Sequence, residues 1–361
     1  MKKIIVGTMA ILVLFINVCA TDVLDEQSKI VGVKELVEAA PEDVGIDINS
    51  NTSLDEGIKG LWQRIKKDAG AIFTRSLSCI GVVITVSVLG AVVNSMQGSV
   101  LKISNYVDAI SAVAIVAAAS GSINTVIGMS ETAIEEMCDF SNVLFPTLAA
   151  SVAASGSPAG AVIRHSASVL FSSTCVSIMS TVLIPLVGMY IASATANAAI
   201  ENSPIGKICS FIEWVITGSL KLMLTLFLAY ISISGFVAST SDMVGVKTLT
   251  AISGAVPVVG GILSNATGAV MSGAKVLKNS VGVFGLISVA SICLTPCLVL
   301  GVNYFLFKVV SAVLSPVCEA KCSELVGKIG TSFGIMLGIT ASCAMLLFIA
   351  IVSCMFAVGI T

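Results

Sequence analysis

The stretch GAVPVVGGILSNATGAVMSGAKVLKNSVGVFG, from Gly254 to Gly285, separates two long apolar runs of the chain. Small residues recur in it every four positions, which places them along faces of a helix. Membrane helices use such faces to bring their backbones close together. Pro257, followed by a pair of glycines, favours a break or a re-entrant turn at the entrance of the stretch. The two sets of small residues are Gly260, Ser264, Gly268 and Ser272, and Gly261, Asn265, Ala269 and Gly273.

Two interpretations fit this central stretch. In the first it is a broken or re-entrant helix, buried among other helices and lining a cavity. In the second it is a small-residue packing helix that encloses no lumen. The candidate packing or pore-lining residues are Pro257, Gly260, Gly261, Ser264, Asn265, Gly268 and Ser272.

Composition places the chain in the membrane. Hydrophobic residues make up 56% of it and charged residues 11%, and the mean hydropathy is +1.03. A soluble domain has about 25% charged residues. We therefore predict an all-α polytopic membrane protein in contact with lipid. The apolar runs predict about seven spans, near 77–95, 108–127, 140–156, 167–196, 212–238, 281–311 and 331–358.

The amino-terminal part divides into three segments. Residues 1–20 have the charge, apolar core and small residues of a signal peptide, with an uncleaved anchor as the alternative. Residues 21–53 are acidic and are predicted to be extracytoplasmic, with one short helix around 30–39. Residues 54–75 predict an amphipathic interfacial helix with Trp62 near the lipid headgroups, or a helix packed on another protein. The helical transmembrane domain follows over 76–361.

Loop charges predict the orientation of the spans. If the amino terminus is exported, the loop that holds Glu131, Glu135 and Glu136 lies outside, and Lys247 and Lys275 lie inside. This agrees with the excess of positive charge on cytoplasmic loops. The basic residues of 59–75 disagree with it, because this assignment puts them outside.

Two further features of the spans point to function. Lys221 lies in the middle of the fifth predicted span, and a charge at such a depth faces protein or water. In the last span, small residues at four-residue spacing predict a close helix–helix crossing, with a partner inside the chain or in another chain. These helix-packing candidates are Gly330, Gly334, Gly338 and Ser342.

The sequence offers no chemistry of its own. Cys293 and Cys297 share a helix face, but zinc needs further ligands and His165 is the only histidine. Phosphate-cradling loops and nucleophile motifs are missing. We predict that the chain is not an enzyme, that it binds no cofactor or metal, and that no nucleic acid is among its partners.

The segments VPVVGGILSNATGAV and KNSVG, with a signal peptide, an exported acidic segment and multiple spans, resemble the stage III sporulation protein AE family. The resemblance covers most of the chain. It implies a component of the channel between mother cell and forespore, located in the mother-cell-derived outer forespore membrane and needed after engulfment. It also implies a secretion-type ATPase and ring-forming membrane proteins as partners. Residues with an established catalytic role are not part of this resemblance.

Three functions are compatible with these residues. The first is a subunit of a multiprotein secretion-like channel that has no energy source of its own. The second is a stand-alone permease for a small molecule, which often shows two related halves. The third is a purely structural membrane scaffold. A convincing internal repeat is missing, and this favours the first.

Overall fold

In the computed structural model, the described backbone covers residues 33–41, 54–96, 101–155, 169–200, 204–253 and 259–355. Side chains are described for 33–41, 57–96, 107, 109–155, 169–200, 204–232 and 274–355. These parts of the chain form helices and connections, without strands, which confirms the all-α class. The helices are α1 Val33–Ala39, α2 Leu54–Met96, α3 Leu101–Ala154, α4 Val169–Ala199, α5 Ile205–Ser253, α6 Val259–Leu314 and α7 Ala320–Met355.

Six helices among the described residues are long and apolar enough to cross a membrane, rather than seven. The difference lies in α3, where the second and third predicted spans belong to one continuous helix. The loop expected around Glu131 and Glu136 is helical. Four carboxylates lower the local hydropathy, but residues 129–145 contain no glycine or proline to interrupt the helix.

The predicted amphipathic segment also continues into its neighbour. Residues 54–75 and the first predicted span form the single helix α2. Ile58, Trp62 and Phe73 are exposed on its outer face, whereas Gly57 and Arg64 face other helices. The apolar side of this segment therefore points away from the bundle.

Contacts between distant residues give the direction of each helix. Gly57 lies against Ile287, and Cys318, just after α6, bonds to the Ser87 carbonyl, so α2 and α6 run parallel. Asn94, near the end of α2, bonds to Glu319 in the turn between α6 and α7. The end of α2 and the α6–α7 turn therefore lie at the same end of the bundle.

The last helix forms the centre of the core. Buried residues occur around most of the circumference of α7, which is the pattern of a helix surrounded by others. It packs against α6 most extensively and also against α3, α4 and α5. Phe307 of α6 and Phe333 of α7 are both buried, with ring centroids 5.1 Å apart.

A single π-helical turn interrupts α4 at Met179–Leu183, immediately before Pro185. The Ile184 N–H bonds to the Met179 carbonyl, five residues back. Proline has no N–H and crowds the preceding turn of an α-helix. The sequence predicts a kink at Pro185, and the structure places this wider turn there.

Candidate functional site

The central stretch is helical wherever it is described. Residues 259–285 form the first half of α6, and this helix continues without a break to Leu314. Pro257, where the sequence places the break, lies outside the described residues. The backbone at Gly260, Gly261, Ser264, Asn265, Gly268 and Ser272 is helical, and their surroundings are likewise outside the described part. Their role stays a prediction.

The carboxyl-terminal end of the stretch is described and packs tightly. A Cβ at Gly282 would lie 2.5 Å from Met355 of α7, and one at Gly285 would lie 2.9 Å from Leu144 of α3. Lys278 is only 4% exposed, although the sequence suggested a charged end to the segment. The stretch therefore enters the bundle between α3 and α7.

The glycines of α7 lie against helices of the same chain. A Cβ at Gly330 would lie 3.1 Å from the Phe307 Cβ and 3.4 Å from the Lys308 backbone nitrogen. A Cβ at Gly334 would lie 2.8 Å from the Tyr304 ring, and one at Gly338 would lie 3.7 Å from Leu220 of α5. Ser342 is half-buried on the same helix.

Lysines on α5 and α6 differ in their surroundings. Lys221 is exposed on α5, beside the exposed Leu222. Lys308 of α6 donates from Nζ to Thr331 Oγ1 of α7 at 2.8 Å. The sequence treated Lys308 as a side chain that extends to the membrane surface, whereas here it links the two helices.

A cavity of about 390 Å³, here named the polar cleft, lies between α2, α3 and α6. Arg64 of α2 donates from Nη1 to Ser291 Oγ of α6 at 2.9 Å. Thr132 and Glu136 come from α3, Thr295 comes from α6, and Pro41 lies at the edge. The Gly57 and Arg64 contacts on α6 both fall within the candidate span Ala274–Leu314. Polar groups thus gather beside an apolar part of the bundle.

Sequence reasoning assigned the cleft residues to other places. It put Arg64 on the polar face of an interfacial helix and Glu136 in a loop. The sequence signal that could have found Glu136 is the unbroken helical pattern through the acidic cluster. Arg64 and Ser291 are 227 residues apart, and nothing in a single sequence pairs them.

The ten cysteines of the described residues are free thiols. Groups of three or more metal-ligating side chains do not occur in this part of the chain, and His165 lies outside it. Cys318 lies in the α6–α7 turn, where its thiol donates to the Ser87 carbonyl over 3.4 Å. Burial raises the pKa of this thiol.

Comparison with known proteins gives the family. No solved structure matches the chain. A curated relative, the stage III sporulation protein AE of Bacillus subtilis (strain 168), is 27% identical over 199 residues. This match covers 55% of the chain and spans about half the length, 50%, of the relative. The family model of stage III sporulation protein AE matches residues 46–358, and the chain belongs to this family.

Proposed function

We propose that this protein is a membrane component of a multiprotein secretion-like channel between mother cell and forespore, required during endospore formation after engulfment. The observation that carries the proposal is the family match over residues 46–358. The bundle of long apolar helices suits such a component. The proposal gives the chain no catalytic step and no cofactor.

The proposed location is the mother-cell-derived outer forespore membrane, and the proposed partners are a secretion-type ATPase and ring-forming membrane proteins. Exposed apolar side chains along α5, among them Phe211, Trp214 and Leu226, offer a surface to lipid or to partner helices. Lys221 lies on an exposed part of the same helix, and a charge within a span favours a protein or water neighbour over lipid.

Co-purification from sporulating cells tests the proposal. The full chain, tagged at its own locus, is extracted after engulfment in mild detergent, and the bound proteins are identified by mass spectrometry. We expect the ATPase and the ring-forming proteins in stoichiometric amounts, together with arrest after engulfment in the deletion strain. A chain that purifies alone, from a species whose deletion strain forms normal spores, contradicts the proposal.

The polar cleft keeps one alternative in view, a stand-alone permease for a small molecule. A cavity of this volume, with a few polar groups in an apolar bundle, is typical of solute sites. Purified protein reconstituted alone into vesicles separates the two functions. Solute flux without any partner favours the permease, whereas flux that needs the co-purified partners favours the channel component. A structural scaffold supports no flux in either case.

A further inference from the structure

The polar cleft has a donor side. Arg64 reaches across from α2 to α6 and bonds to Ser291, a side chain that is 3% exposed. The Arg64 Nε also lies 4.0 Å from a carboxylate oxygen of Asp68, one turn along α2. A guanidinium carries five N–H donors in a planar fork that matches a carboxylate. It can therefore bind an anionic group while it keeps the Ser291 bond.

The cleft also has an acceptor side. Glu136 lines the cavity from α3, and Ile292 and Pro296 line it from α6. Because Pro296 has no N–H, the Ile292 carbonyl loses the donor that an α-helix supplies four residues later. Broken backbone hydrogen bonding of this kind is tolerated at membrane depth where it lines a cavity. A carboxylate and a backbone carbonyl together suit an ammonium group.

The two sides restrict the ligand. An anion alone would meet Glu136, and a cation alone would meet Arg64, so each would face a like charge. Charges removed from water need partners of opposite sign, or the cost is several kcal/mol. A molecule that carries both signs meets both needs in one cavity. The volume of about 390 Å³ is at the small end of ligand pockets, which run from about 300 Å³ upwards.

We propose that the polar cleft binds a small zwitterion, with its anionic group on Arg64 and its ammonium group on Glu136 and the Ile292 carbonyl. If the proposed function holds, this assignment names the class of solute that the complex handles at this subunit. The binding itself requires only the full chain.

The test uses the full chain in lipid nanodiscs. The probes are glycine, β-alanine and γ-aminobutyrate, in which the two charges are progressively further apart, with propionate and propylammonium as singly charged references. Equilibrium dialysis with labelled probe measures binding. We expect at least one zwitterion to bind at millimolar concentration or tighter, and to bind more tightly than both references.

Four variants test the residues. We expect Arg64→Gln and Glu136→Gln each to weaken zwitterion binding by about tenfold or more, because each loses one charged partner of the ligand. Propionate binding should fall in Arg64→Gln and not in Glu136→Gln. Lys66→Gln on the exposed side of α2 and Glu131→Gln on the exposed side of α3 are the matched controls and should bind like the wild type. Thermal unfolding without ligand identifies any variant that has lost its fold.

Two results overturn the inference: the absence of zwitterion binding to folded wild-type protein, and equal binding by the wild type, Arg64→Gln and Glu136→Gln. These results are separable from a failure of the proposed function. A chain that binds a zwitterion but recruits no channel partners contradicts only the proposed function. A chain that recruits the partners but binds no zwitterion contradicts only the inference.

Discussion

Gly330 and Gly338 lie on one face of α7 but leave different amounts of space for a side chain. A methyl group at Gly330 would press on the backbone of α6, with the Lys308 nitrogen 3.4 Å away, whereas one at Gly338 would make an ordinary contact of 3.7 Å with Leu220. We therefore expect Gly330→Ala to lower the unfolding free energy by about 1 kcal/mol or more, because overpacking forces the backbone to shift. Gly338→Ala should be neutral or stabilising, since alanine favours a helix by up to about 1 kcal/mol over glycine. Unfolding in detergent micelles measures both, and equal losses would contradict the difference in packing.

Cys318 provides a pH-dependent test at a single thiol. Its raised pKa means that less thiolate is present at any given pH, and the thiolate is the species that is alkylated. At pH 8 we expect maleimide to modify Cys318 much more slowly than a cysteine introduced by Val317→Cys, whose parent side chain is 57% exposed. The rate at Cys318 should continue to rise above pH 9, where the reference thiol has levelled off. Peptide mass spectrometry follows each site, and matching pH profiles would refute the effect of burial.

The π-helical turn sets how the two halves of α4 face the bundle. Buried positions before it include Cys175 and Met179, and those after it include Ile184 and Val187. The step from Met179 to Ile184 is five residues, which one π turn accommodates and an α-helical turn does not. The turn therefore keeps one buried face along the whole helix.

Removing one residue from that turn should restore the α-helical pitch without rotating either half. We expect deletion of Thr181, combined with Pro185→Ala to remove the proline clash, to preserve accumulation in the membrane and the unfolding temperature. Deletion of Ala192, in the α-helical half, rotates the residues after it by about 100° and should prevent accumulation. Quantitative immunoblotting of membranes compares the two, and similar levels would show that the turn has no role in register.

The sequence predicted most of the elements and few of their contacts. Helical periodicity located α1 at the predicted short helix around 30–39, and apolar length located the spans. It failed at the acidic cluster of α3, because hydropathy marks where a chain leaves the membrane rather than where a helix ends. The Arg64–Ser291 bond depends on how α2 and α6 pack in three dimensions, which periodicity along one chain does not encode.

At the scale of the whole molecule, the uninterrupted α3 changes which ends of the helices lie together. Seven spans would put the end of the first span and the turn before the last span on opposite sides of the membrane. The Asn94–Glu319 bond requires the same side. We expect Met96→Cys and Val317→Cys to react with an impermeant thiol reagent from one and the same side, and Lys275→Cys to react only from the other. The wild type measures background from the native thiols. Labelling of positions 96 and 317 from opposite sides would restore the seven-span arrangement.

The length of the helices has a mechanical consequence. With 56 residues, α6 is about 84 Å long, whereas the hydrocarbon core of a bilayer is about 30 Å thick. A rod of this length acts as a lever, and a tilt of about 10° around one end carries the other end through about 15 Å, given the rise of each residue along the axis. Since Gly330 and Gly334 press α7 against this rod, the two would swing as one arm. A small displacement at one surface of the membrane would therefore arrive enlarged at the other.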